Sequence, residues 1–243
     1  MIQPWLGKQE PINDYDLPNI GHRIGVGEDI VHMILEVESK GKGFDANGVI
    51  KLFEKHVFYR NLPPHLKSKA LEEGIASIKW KRDYNNNHAA FLKAYKFDKS
   101  AALKGCSWGL GQVLGENFKM LNYTSPAHMV QTFANSEAAQ LNGMIDFIIH
   151  NNLADELRAM EDTTDYNELL RLARVFARVY NGPGYEKHNY HGRLVNSLKK
   201  WRNIPDTHWT PELSKKEEFF ANKSITIAKE VKHKTFLQKL FGG

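Results

Sequence analysis

One carboxylate in this chain falls where a helix should be apolar. The stretch 27–40 spaces its hydrophobic residues as one face of a helix. Turning about 100° per residue from Ile30, an apolar arc collects Ile34, Val31, Leu35, Val37 and Met33. Glu28, Asp29, His32 and Glu36 gather on the opposite side, a face expected in water, Glu36 included. Glu38 lands at about 80°, inside the apolar arc, and is expected to point toward the core or a cleft. Gly41 and Gly43 follow at once, ending the helix and leaving room for a ligand beside the carboxylate. A carboxyl stripped of water holds its proton to higher pH. It can then donate that proton to a leaving oxygen, as the general acid of glycoside hydrolysis must. The bland alternative is a Glu38 that snorkels from a frayed helix end or pairs with a core arginine.

A second carboxylate lies on the next element. Gly43–Asp45, the turn Ala46-Asn47-Gly48, and Val49–Tyr59 read as a β-hairpin, since Asn-Gly between β-prone runs is a strong turn signal. Strand alternation then puts Glu54, His56 and Phe58 on one face. Glu54 could position or deprotonate water, or stabilise an oxocarbenium ion. Equally, Glu54 and His56 could be a structural pair holding the hairpin to the helices. Carboxyls ~5–5.5 Å apart favour retention and ~6.5–9.5 Å leave room for an inverting water; the sequence leaves both outcomes open.

Other chemistries find less support. Cys106 is the single cysteine, which excludes an internal disulfide and a cysteine-based zinc site, and in an Ala-rich helical run it reads as a small core residue rather than a nucleophile. His188-x-x-His191 and His32-x-x-x-Glu36 have ligand-like spacing but no third partner, so no metal and no cofactor are called for. No glycine-rich phosphate loop follows a strand. At 243 residues, 42% hydrophobic and 25% charged, the composition is that of a globular protein, and no apolar run approaches a membrane span. The net charge of +5 is concentrated at the end: residues 222–243 hold five lysines against one acid. A nearly neutral body argues against nucleic acid as a partner. The tail is expected either to dock its apolar stripe on the core or to lie on an anionic membrane or lipopolysaccharide surface.

Around these residues the chain reads as mainly α (α+β). Residues 1–24 form an irregular lead-in. Helical periodicity then covers about 27–40, 65–80, 87–96, 98–106, 110–120, 126–150 with a break, 152–160, 164–180 and 190–201. One domain over 25–204 and a basic, amphipathic helical appendage over 205–243 complete the expected organisation.

Several short stretches together resemble a known group. Val37-Glu38-Ser39, Ser107-Trp108-Gly109-Leu110-Gly111-Gln112 and Val179-Tyr180-Asn181-Gly182-Pro183-Gly184 resemble segments of goose-type lysozymes and lytic transglycosylases. More closely, Glu38-Ser39-x-Gly-x-Gly-Phe44, Leu52–Arg60, Ala101-Ala102-Leu103 and Ser136–Leu141 resemble the N-acetylmuramidase domain of phage endolysins, over roughly residues 24–200. The resemblance implies a lysozyme-like helical domain whose single small hairpin forms one wall of a sugar cleft. It implies cleavage of the β-1,4 bond between N-acetylmuramic acid and N-acetylglucosamine, with Glu38 as the acid; water would attack with help from Glu54 or a polar neighbour. In that frame Ser39 hydrogen-bonds locally or orients Glu38. His56, Ser107 and Gln112 contact the sugars, and Tyr180 and Asn181 cap the cleft. Trp108 is expected in the core. The partner is then peptidoglycan, met by a monomer made without a signal peptide in the host cytoplasm and reaching the wall after the inner membrane is breached. A lytic transglycosylase giving 1,6-anhydro products is the nearest rival. A non-catalytic glycan- or membrane-binding module with a lytic tail is the rival from another class.

Overall fold

The computed structural model describes residues 3–80 and 86–213. The chain divides into two compact units, residues 1–206 and 207–243. In the second, the described residues 207–213 include a hydrogen bond from the Leu213 N–H to the Thr210 carbonyl at 3.0 Å. The basic tail, 222–243, lies outside the described residues.

The first unit is mainly helical with two small sheets. Its centre is α2 (Glu28–Ser39), which packs on α1 (Asp16–His22) on one side and on α11 (Tyr190–Trp201) on the other. Ile30, Val31, Met33 and Ile34 are completely buried, each contributing about 1.5–3 kcal/mol of hydrophobic stabilisation. The helix starts at Gly27, whose N–H is held by both carboxylate oxygens of Glu161 at 3.1 Å. It stops abruptly because Lys40 and Gly41 both turn left-handed, at φ +57° and +71°, and the Gly41 N–H reaches back to Leu35 O at 3.2 Å.

A hairpin follows α2: β1 (Phe44–Asp45) pairs antiparallel with β2 (Gly48–Val49). The Asn47 N–H donates to the Asp45 carboxylate at 2.7 Å across the turn. A three-stranded antiparallel sheet then joins β3 (Lys51–Phe53), β4 (Cys106–Trp108) and β5 (Val113–Leu114). Between β3 and β4 run α3 (Lys55–Asn61), α4 (Pro64–Glu72), α5 (Asn87–Phe97) and α6 (Lys99–Lys104). After β5 and a short 3-10 turn come α7 (Pro126–Asn135), α8 (Glu137–His150), α9 (Ala154–Asp162), α10 (Tyr166–Tyr180) and a second 3-10 turn leading into α11.

The helix expected over 65–80 ends at Glu72, just before the left-handed Gly74 at φ +68°, and the chain departs from the sequence-based reading in four further places. First, the strand expected over 49–59 ends at Phe53: Glu54 is the N-cap of α3 and its carbonyl accepts from the Phe58 N–H at 3.0 Å. Phe53, Val57 and Phe58, all buried, are spaced as a helix and not as a strand, so the common face proposed for Glu54, His56 and Phe58 does not exist. Second, the helices expected over 98–106 and 110–120 are interrupted by β4 and β5. Helix α6 ends at Lys104, Cys106 is a buried strand residue, and Gly109 at φ +69° lies in the turn between the two strands. Third, the face of α2 assigned to water is covered by α11. Glu28 is buried, His32 stacks on Trp201 with ring centroids 3.8 Å apart, and Glu36 is half-buried. Fourth, the lead-in contains α1, and Trp5 is 1% exposed with its ring edge-on to Phe91 and Tyr95.

Gln140 of α8 ties these parts together. Fully buried, it accepts from the Leu110 N–H at 2.8 Å and donates to the carbonyls of Phe133 at 3.0 Å and Gly43 at 3.5 Å. One turn earlier, Glu137 accepts from the Gly43 N–H at 2.8 Å and the Ile12 N–H at 3.1 Å. Gly109 and Gly111 let the β4–β5 loop lie directly on this helix. A Cβ on Gly109 would stand 2.5 Å from Gln140 Oε1, and one on Gly111 would stand 2.7 Å from the Met144 side chain. Gln140→Met keeps the shape but strands the Leu110 N–H and the Phe133 carbonyl in the core. Urea denaturation should show a loss of roughly 2–4 kcal/mol.

Candidate active site

Glu38 lies in the last turn of α2, partly exposed, with its carboxyl crowded from two helices. From α11, the Tyr190 hydroxyl donates to Glu38 Oε1, and Arg193, one turn further on, donates Nη2 to the Val37 carbonyl at 2.7 Å. From α10, Tyr180 stands close enough for the charge of Glu38 to raise the pKa of its phenol, and its own hydroxyl donates to the Gly111 carbonyl at 2.7 Å. That last bond ties the end of α10 to the β4–β5 loop. The Tyr180 ring is fixed by stacking on Phe176, centroids 5.0 Å apart, and by an edge contact with Phe147.

Desolvation dominates the electrostatics here. It pushes the Glu38 carboxyl up to about 7, against the smaller opposing pulls of the Tyr190 hydrogen bond and the Arg193 charge. The acid therefore keeps a substantial protonated fraction at neutral pH. Ser39, its neighbour, does not touch it: the Ser39 hydroxyl donates back to Leu35 O at 3.3 Å.

Glu54, His56 and Ser107 form a second polar group on the β3–α3 corner. The Ser107 hydroxyl donates to Glu54 Oε1 at 3.5 Å, and His56 Nδ1 lies 3.8 Å from Glu54 Oε2. Burial raises the Glu54 carboxyl pKa, while Arg60 and Ser107 oppose the shift. Burial and Arg60 also lower the pKa of His56, so near neutrality its approach to Glu54 is a polar contact and not an ion pair. Arg60 is committed elsewhere, bidentate to Glu116, which also accepts from Asn61 at 2.8 Å.

The remaining sequence-predicted residues are placed as follows. Gln112 is left-handed at φ +46°, and its amide donates to the Gly109 carbonyl at 2.8 Å, closing its own loop. Asn181 is the exposed C-cap of α10, with its N–H on Ala177 O at 2.9 Å. Trp108 is fully buried, its indole N–H on Leu103 O at 2.9 Å. Glu36, expected in water, accepts from Ser197, Lys200 and Trp201 at 2.7–2.8 Å, which pins α11 to α2. A groove of about 880 Å³ runs along this α2–α11 face, lined among others by Leu35, Glu36, Val37, Arg193 and Trp201. Glu38 is not among the residues that line it.

Tyr190 and Arg193 are the site residues that sequence reasoning missed. The helix 190–201 was legible, but its register against α2 was not, because the covered face of α2 is built from charged and polar residues.

The sequence profile of the N-acetylmuramidase family matches residues 28–202, a span that begins at the first residue of the Glu38 helix and ends just after α11. The chain belongs to the N-acetylmuramidase family. Its fold is that of a phage endolysin: the crystal structure of the Burkholderia AP3 phage endolysin superposes with a TM-score of 0.64 at 25% identity, covering 84% of this chain and 74% of that one. No curated protein sequence matches it. This member of the family is thus a peptidoglycan-degrading glycoside hydrolase. Among the described residues, no helix is long and apolar enough to cross a membrane.

The raised pKa of Glu38 has a cost in stability. Between about pH 4.5 and 7 the folded chain keeps a proton that the unfolded chain has released, so stability falls as pH rises through that window. Glu38→Gln keeps the acceptor for Tyr190 and removes the charge. In the full-length chain, the variant should match wild type at pH 4.5 and exceed it by about 2 kcal/mol above pH 7.5 in urea denaturation, allowing for partial solvent screening.

Proposed function

We propose that this chain hydrolyses the β-1,4 bond between N-acetylmuramic acid and N-acetylglucosamine in peptidoglycan, with Glu38 as general acid. The observation that carries this reading is the desolvated Glu38 carboxyl at the end of α2, held by the Tyr190 hydroxyl, inside the segment that matches the family. Protonation of the glycosidic oxygen by Glu38 lets the leaving sugar depart as an alcohol. Water then completes hydrolysis at the anomeric carbon. Glu54, with Ser107 and His56 beside it, is the second carboxylate of the proposal. It would aid water or stabilise the oxocarbenium charge. Release of progeny phage through the degraded wall follows from the likeness to an endolysin. Surface binding through the lysine-rich residues 222–243 is an added proposal, resting on their charge alone.

The test is digestion of purified sacculi followed by mass spectrometry of the fragments. Hydrolysis predicts muramic acid at the reducing ends. Products lighter by one water would instead identify a lytic transglycosylase, and products reducible at glucosamine would identify the other glycosidic bond. Glu38→Gln should lower kcat at least ~10²–10⁴-fold, the usual worth of a positioned acid, while Glu54→Gln should lower kcat with little change in KM. Wall clearing by Glu38→Gln at the wild-type rate would refute the enzymatic account.

A further inference from the structure

A carboxylic acid has two oxygens, and only the one bearing hydrogen can do acid catalysis. In Glu38 they are not equivalent. The Tyr190 hydroxyl donates to Oε1. An oxygen that accepts a hydrogen bond from a phenol is the carbonyl oxygen of a neutral acid, so the hydrogen is left on the other. We propose that Tyr190 is the positioning residue of this general acid, holding Oε1 as the acceptor so that the transferable proton resides on Oε2. The proposal rests on reading Glu38 as the acid.

Three features make Tyr190 suited to this. It opens α11 directly after Asn189, which is left-handed at φ +49°, so the turn fixes where its ring enters the core. It is only 4% exposed, and its neighbour one turn on, Arg193, is bonded to the Val37 carbonyl, so the helix carrying the phenol is tied to the backbone carrying the acid. Its phenol pKa is driven well above the usual value by burial, then by Glu38 and Tyr180, so it stays a donor through the whole working range. Tyr180, the tyrosine singled out from the sequence, cannot take this part while its hydroxyl is given to Gly111 O. The titratable groups that act on Glu38 are thus Tyr190 and Arg193 from α11, with Tyr180 from α10 nearby.

The same bond acts after proton transfer. Tyr190 donates more strongly to the carboxylate than to the acid, which stabilises the anion left behind. Loss of the hydroxyl therefore raises the Glu38 pKa further. It also frees the acid proton to sit on either oxygen.

The experiment measures kcat and kcat/KM on purified peptidoglycan from pH 5 to 9 for full-length wild type, Tyr190→Phe, Tyr180→Phe and Glu38→Gln. Tyr190→Phe should move the basic limb of the profile up by roughly half to one pH unit and lower kcat about tenfold. Tyr180→Phe should leave the limb where it is, whatever it does to stability. Tyr190→3-fluorotyrosine, which keeps ring and hydroxyl but donates more strongly, should move the limb down; it carries the test if the phenylalanine variant does not fold. An inactive Glu38→Gln together with an unmoved limb in both Tyr190 variants overturns the proposal and leaves the acid assignment standing. A fully active Glu38→Gln overturns both.

Discussion

The site depends on desolvating a carboxyl at the end of a helix whose apolar face is there to be buried. Charging Glu38 is opposed by desolvation and only partly relieved by Tyr190 and Arg193. The penalty is tolerable because Ile30, Val31, Met33 and Ile34 on the same helix bury completely. Each of those side chains contributes a stabilisation comparable with the whole cost of ionising the acid. Chemistry and packing therefore share one helix: the first three turns anchor it, and the last turn spends part of that anchorage on an acid held near neutrality.

The arrangement also explains why α10 and α11 are needed. Each brings one tyrosine toward Glu38, and the two phenols are used differently. Tyr180 faces the β4–β5 loop and fixes where that loop stands, whereas Tyr190 faces the acid itself. Glu36, two residues away on the same helix, does structural work only. It gathers a serine, a lysine and an indole N–H, and so sets how α11 lies across α2. Adjacent glutamates thus separate cleanly by environment: the one with three donors is held below the usual carboxylate range, and the one with a single phenol is held above it.

Much of this was legible in the sequence. The helical period of 27–40 placed Glu38 on the apolar side, and most of the later helices fall close to their expected spans. What the sequence misjudged has physical causes. Phe53, Val57 and Phe58 make a short apolar run in which strand and helix periods are hard to tell apart, so the turn at Glu54 was hidden. β4 and β5 are too short to show a period: β4 is held by pairing with β3, a partner more than fifty residues away, and β5 by pairing with β4. The water-facing side of α2 was misassigned because charged residues can be buried when another helix brings matching donors. Tyr190 carried no local signal at all; its importance comes from a contact 152 residues distant in sequence.

The grip of α8 on Gly43 from both its N–H and its carbonyl, and on Leu110 from the same Gln140, has an evolutionary corollary. The first hairpin and the β4–β5 loop take their separation from a spacer helix that neither carries the acid nor supplies any of its partners. Drift in the length or tilt of that spacer would move the hairpin and the loop relative to each other without altering a single reactive atom.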